Sequence, residues 1–159
     1  MSYKISPNPF MMVSDNTATV AVASTTAGQA LTFDTVEVSK GVTLVSNSRI
    51  TCPSTGDYLV TFSAQGTKGT GGTGYIDIWA AKNGTNVLRS NTRFTVTNGT
   101  YQICSAAFIF EATTAGDYFE LIMCGDTTAS QLATVALSAA NPVRPAAPNI
   151  IVSINKISK

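Results

Sequence analysis

The 159-residue chain contains no histidine, and only 12% of its residues are charged. Without histidine, the commonest general base and the commonest zinc ligand are both missing. Ser-His-Asp and Cys-His nucleophile arrangements are therefore excluded, and no catalytic, cofactor or metal residues are assigned. Average soluble domains carry about 25% charge, so this surface must be solvated largely by hydroxyls and amides. The ten basic and nine acidic residues are scattered singly. No concentrated patch displaces phosphate counterions, which argues against nucleic acid as a partner. No run of about 18 apolar residues could span a bilayer as a helix, so no membrane association is expected. The start of the sequence lacks the continuous apolar region of a secretory signal and reads as a cytoplasmically made protein. Three cysteines, Cys52, Cys104 and Cys124, cannot all pair within one chain and show no Cys-x-x-Cys spacing. They read as free thiols.

What is present is β-strand signal. In 58–64, Tyr58, Val60, Phe62 and Ala64 fall on one face and Leu59, Thr61 and Ser63 on the other, the period of two that a strand imposes. The same pattern predicts strands over 75–81, 101–111, 118–124 and 149–157. Weaker signals lie over 17–23, 31–38, 42–45, 86–90 and 131–137. Asn83-Gly84 and Asn98-Gly99 supply the chemistry of tight hairpins, and Gly56-Asp57 and Gly116-Asp117 each precede a tyrosine that opens a strong strand. No segment offers ten residues of 3.6 periodicity with caps. The expectation is one all-β domain, a two-sheet antiparallel jelly-roll sandwich over 17–159, preceded by an extended N-terminal arm over 1–16.

Two strands are apolar on both faces. In 101–111, Cys104, Ala106, Phe108 and Phe110 oppose Ile103, Ala107 and Ile109; in 118–124, Phe119, Leu121 and Met123 oppose Tyr118, Ile122 and Cys124. The outer face of a solitary sandwich is mostly polar. A second apolar face points to burial against another subunit, and Tyr101, Ile103, Ile109, Tyr118 and Ile122 are the predicted contact residues.

The order of features resembles the C1q/tumour-necrosis-factor jelly-roll superfamily. The segments carrying the resemblance are Phe33 at an early strand, residues 49–65 (RITCPSTGDYLVTFSAQ), residues 78–84 (IWAAKNG), similar to that superfamily's Lys-Asn-Gly hairpin, residues 115–126 (AGDYFELIMCGD), and a closing apolar strand. The resemblance implies about ten strands and a compact homotrimer, with one sheet of each subunit facing the threefold axis. The chain has no collagen-like Gly-X-Y stalk. Stand-alone jelly rolls low in charge and rich in Thr, Ala and Gly are similar to phage structural proteins.

That resemblance leads to a non-enzymatic virion protein: a homotrimeric capsid decoration or cement protein of a bacteriophage, located at the capsid surface. Its expected partner is the major capsid protein or another virion protein, reached through Phe10, Met11 and Met12 of the arm. The alternative is a receptor- or carbohydrate-binding module of a phage fibre, or a C1q-like binding protein, with ligand carried by loops 66–74 and 138–148. Other motifs have plainer readings. Gly69-Thr-Gly-Gly-Thr-Gly74 spells Gly-x-Gly-x-x-Gly but leads into a strand, whereas pyrophosphate binding needs a helix N-terminus. Asp57 and Asp117 are turn residues. A lone Asp126 is thin for calcium. Asn83-Gly-Thr85 and Asn98-Gly-Thr100 are turns before they are glycosylation sites, and Trp79 with Tyr75 reads as packing rather than a sugar platform.

Overall fold

The computed structural model describes residues 8–136 and 142–158. No helix occurs among them. Fourteen strands run in chain order: β1 (Phe10–Asp15), β2 (Thr19–Ala21), β3 (Gln29–Ala30), β4 (Thr35–Lys40), β5 (Thr43–Val45), β6 (Arg49–Thr51), β7 (Gly56–Lys68), β8 (Thr73–Lys82), β9 (Thr85–Asn86), β10 (Thr92–Thr97), β11 (Gln102–Ala112), β12 (Tyr118–Gly125), β13 (Ser130–Ala133) and β14 (Ile150–Lys156). They form two antiparallel sheets. The first has the order β2-β13-β7-β14-β1-β4, with β11 also paired to β7; the second has β10-β8-β12-β6-β5, with β3 on β12 and β9 on β8.

The core lies between the sheets and follows the predicted alternation. Tyr58, Val60, Phe62 and Ala64 of β7 point inward with Val152 and Ile154 of β14, and meet Ile76, Ile78, Phe119, Leu121 and Met123 from the second sheet; all are buried. Phe119 anchors the centre, its ring 5.3 Å from that of Phe110 and edge-on to Phe108 at 6.2 Å. Burying each large side chain contributes roughly 1.5–3 kcal/mol.

The N-terminal segment corrects an expectation. Phe10, Met11 and Met12 are not on a free arm: they belong to β1, which lies between β14 and β4 in the first sheet. Met11 is only 3% exposed and Val13 is fully buried. Three consecutive apolar residues break strict alternation, because Met11 faces the core while Phe10 and Met12 lie half-buried on the outer face, and the two prolines before the strand disguise it further. A boundary between residues 16 and 17 therefore cuts through the domain; residues 1–7 of the expected arm lie outside the described residues. The junction of β1 with β14 is fastened by buried polar groups. Asn149 Nδ2 donates to Asp15 Oδ2 and to the Thr17 carbonyl, both at 2.9 Å, and the Thr17 amide donates to Asp15 Oδ1 at 2.9 Å.

Turn chemistry divides into two outcomes. Asn83 and Gly84 both take positive φ, 48° and 80°, and close the predicted two-residue hairpin between β8 and β9. Asn98-Gly99 does not close a hairpin within a sheet: it carries the chain from β10 in the second sheet to β11 in the first. Residues 69–72 make the same kind of crossing from β7 to β8. The signal over 86–90 yields strand only at Asn86; beyond it the chain turns through Arg89 at φ 65°, a conformation unfavourable for a side-chain-bearing residue.

Candidate self-association face

The two sheets present outward faces of opposite character. On the second sheet, each aromatic or acidic side chain is met by a partner from the same chain. Arg93 forms a fork to Asp77, with Nε and Nη2 at 2.9 and 2.8 Å from the two carboxylate oxygens, and its guanidinium stacks 3.8 Å above the Tyr75 ring. The Arg93 hydrogen bonds hold the Asp77 carboxyl below its ordinary range against the opposing effect of burial. Trp79 Nε1 donates to Asn86 at 2.8 Å. Its ring packs over Gly28, where a Cβ would fall 2.7 Å from it and 2.6 Å from Ile122. Arg49 lies 4.9 Å above Tyr118 and 3.7 Å from Glu120, which also accepts from Ser48 at 2.7 Å.

The corner below this face is tied by Asp117. Its carboxylate accepts from Asn83 at 2.9 Å and from the Thr113 and Thr114 amides at 2.8 and 3.1 Å, with the Lys82 ammonium at 3.0 Å. The Asn83 bond first, then Lys82 and the two amides, hold its carboxyl far below the carboxylate range. Asp57, in the other Gly-Asp-Tyr corner, instead accepts from Ser158 Oγ at 2.8 Å. Both aspartates sit in turn networks, and Asp126 likewise accepts from the Tyr75 amide and Ser130 Oγ. No group of three or more acids and cysteines among the described residues could hold a metal.

On the first sheet the outward face is neutral and largely hydroxyl-lined at its centre and apolar at its rims. Gln65 Nε2 donates to the Pro148 carbonyl at 3.0 Å and the Tyr101 hydroxyl to the Thr134 carbonyl at 3.3 Å. All three ion pairs among the described residues lie on the second sheet or its corner. Cross-strand register lays out the outward rows: Ile103 beside Gln65; Ser105 beside Ser63 and Ile151; Ala107 beside Thr61 and Ser153; Ile109 beside Leu59 and Asn155. Thr61 and Ser153 share a hydrogen bond of 2.7 Å. The centre of the face is thus low, neutral and lined with small side chains. Its rims are greasy: Tyr101, Ile103 and Ile109 are 49%, 71% and 54% exposed on the β11 side, and Val38 is 46% exposed on the β4 side. Phe10 and Met12 lie half-buried between them.

This divides the five predicted contact residues. Tyr101, Ile103 and Ile109 share the first face. Tyr118 and Ile122 lie on the outer face of the opposite sheet, under Arg49 and against the Trp79–Gly28 cluster, so one contact surface cannot hold all five. Alternation along a strand separates its two sides, but it does not say which sheet a strand joins. Phe10, Met12 and Val38 were missed as members of the face: the first two lie in a strand read as an arm, and Val38 lies at the end of the weak signal over 31–38.

The remaining candidates are quickly placed. Cys52 and Cys104 are buried and Cys124 is half-buried, all as free thiols. Burial pushes the Cys52 thiol up to about 12, so it is a packing group rather than a nucleophile. Within 66–74 only residues 69–72 form an exposed loop; Gly66 lies in β7, where a Cβ would overlap the Phe94 ring. Of the 138–148 loop, residues 138–141 lie outside the described residues, and 142–148 run along the surface.

Two antiparallel sheets in these orders, joined by crossings at 69–72 and 98–101, form a jelly-roll sandwich. Murine APRIL, in its crystal structure at pH 5.0, is similar with a TM-score of 0.59 and 10% identity, over 94% of this chain and 99% of that one. The globular domain of zebrafish complement 1qA protein gives 0.55 and 14%, over 94% and 95%. No family model and no curated protein matches the chain. At these identities the likeness establishes the fold alone.

Proposed function

We propose that this chain is a non-enzymatic structural protein that self-assembles as a homotrimer through the outward face of its first sheet and decorates or cements a phage capsid. The carrying observation is the contrast between the faces: the first has a neutral centre of small side chains, exposed apolar rims at Tyr101, Ile103, Ile109 and Val38, and no ion pairs among the described residues, whereas the rings of the second are covered by its own side chains. Monomeric domains rarely leave a continuous apolar patch open to water. The threefold symmetry is taken from the C1q/TNF-like resemblance, and the virion role from the low-charge, Thr- and Ala-rich composition. The absence of histidine from the whole sequence supports a role without catalysis.

Light scattering at micromolar concentration tests the first half: three times the 16.6 kDa chain mass is expected, and a monomer mass removes it. Co-sedimentation with assembled capsids tests the second. A second reading, a receptor- or carbohydrate-binding module, is favoured by the exposed segments 69–72 and 142–146. Hits on a glycan array without capsid binding would decide for it.

A further inference from the structure

Resting on the self-assembly reading, we infer that the subunit contact is head-to-tail between opposite edges of the first sheet, with Lys40 of one copy neutralising the Asp57–Glu111 acid pair of the next. The inference starts from a conflict within one chain. Glu111 of β11 and Asp57 of β7 are direct cross-strand partners, and like charges in that position repel. Neither carboxylate takes part in an ion pair among the described residues. Lys82 is close by, but it donates to the Glu111 carbonyl at 2.7 Å and spends its charge on Asp117 at 3.0 Å. Among the described residues the acid pair thus has no cation of its own; the Asp57 carboxylate accepts only from Ser158 Oγ at 2.8 Å.

The other edge of the sheet carries the complement. On β4, Val38 pairs with Met12 and Lys40 with Phe10, so both share the outward face. Lys40 is exposed and belongs to no ion pair among the described residues, while neighbouring Glu37 is occupied by Ser14 Oγ at 2.6 Å. An apolar residue followed two positions later by a charge thus stands on each edge: Val38 and Lys40 on one, Ile109 and Glu111 on the other. The signs are opposite.

Register places them at matching heights. Counting the antiparallel register on from Asp15 opposite Ile150, and supported by the Lys156 amide donating to the Pro9 carbonyl at 2.9 Å, one row runs Ile109, Leu59, Asn155, Phe10, Lys40. The next runs Ala107, Thr61, Ser153, Met12, Val38. In a ring whose axis follows the strands, each row abuts the same row of the neighbour. Lys40 then lays its stem over the neighbour's Ile109, and its ammonium reaches Glu111, about 6.6 Å further along the strand. Val38 and Met12 fall on Ala107, the smallest side chain of the edge. A cleft of about 240 Å³ lined by Lys82, Val87, Phe108, Ile109, Phe110 and Glu111 opens at the same edge, giving the ridge of the neighbouring copy a concave counterpart. Two different patches meeting in this way close into a ring, whereas a two-fold contact would pair each edge with itself.

Charge exchange tests this in the full chain. Lys40→Glu and Glu111→Lys are each expected to weaken self-association by about tenfold or more, read by light scattering on dilution, and the double variant to recover it. Circular dichroism matching the wild type confirms that these exposed positions leave the fold intact. Single variants that associate normally, or a double variant as weak as the singles, would overturn the edge-to-edge contact while leaving assembly standing. A monomeric wild type would overturn both.

Discussion

The two outward faces of this sandwich are built from similar strands and end in opposite states. β8 and β12 carry Tyr75, Trp79, Tyr118 and Ile122, a greasier set than β7 and β14 display, yet that face is finished: Arg93, Asn86 and Arg49 lie over or against its rings. The face of β11, β7, β14, β1 and β4 has smaller side chains and is left open. Apolar content alone therefore does not mark an interface. What marks it is exposed apolar side chains, here Ile103, Ile109 and Val38, over which no charged group of the described residues lies.

The comparison is broken most directly on the open face. Ile109→Asp places a charge where a neighbour is expected and should weaken self-association by about 100-fold or more, since each copy loses a buried isoleucine and gains an unpaired carboxylate. Analytical ultracentrifugation reads the loss, and an unchanged trimer would return this face to solvent. Ile122→Asp, on the closed face, should leave the assembly mass unchanged.

The corner beneath the closed face carries the next largest effect. Asp117→Ala strands Lys82, Asn83 and two amides and should cost about 2–4 kcal/mol, measured by chemical denaturation. Because the folded carboxyl titrates far below the unfolded value of about 3.9, this stability is fully present above that value and is lost as pH falls through the folded one. The melting temperatures of wild type and Asp117→Asn should therefore converge in acid and separate above about pH 4. Divergence at low pH would contradict the network.

Gly28→Ala comes third. Its Cβ must push aside Ile122 and the Trp79 ring, at 2.6 and 2.7 Å, for about 1–3 kcal/mol and a shift in tryptophan emission. Smallest is Arg93→Ala: an exposed ion pair adds little to stability, so the melting curve should barely move while Tyr75 becomes accessible to solvent quenchers. A new tendency to associate in this variant would show that the guanidinium is what keeps the face closed.

How much was legible follows from which physical signal each element carried. β7 and β14 announced themselves because one face of each is buried and the other less so, so alternation survives in the sequence, while β8, β11 and β12 showed as apolar and aromatic runs bounded by turn residues. β10 was not foreseen: Phe94 and Val96 are the only apolar residues among its threonines, and its placement depends on pairing with β8. β6, at three residues, is too short to show a period. Asn98-Gly99 carried the right turn chemistry for the wrong connection, because a tight turn serves a change of sheet as well as a hairpin. Of the interface, the β11 rim was visible as a doubly apolar strand, and the β4 rim was not.

By itself the sequence determined that the chain is a β-sandwich and that catalysis by histidine is unavailable to it. Period-two patterning and residue identity are local properties, and they need no knowledge of neighbours. Only the tertiary structure decided that Phe10, Met11 and Met12 form an inner strand, and that Tyr118 and Ile122 face away from Ile103 and Ile109. The same holds for which apolar face is covered. These are outcomes of pairing between residues far apart in the chain, where sheet order and register, rather than composition, set what each side chain meets.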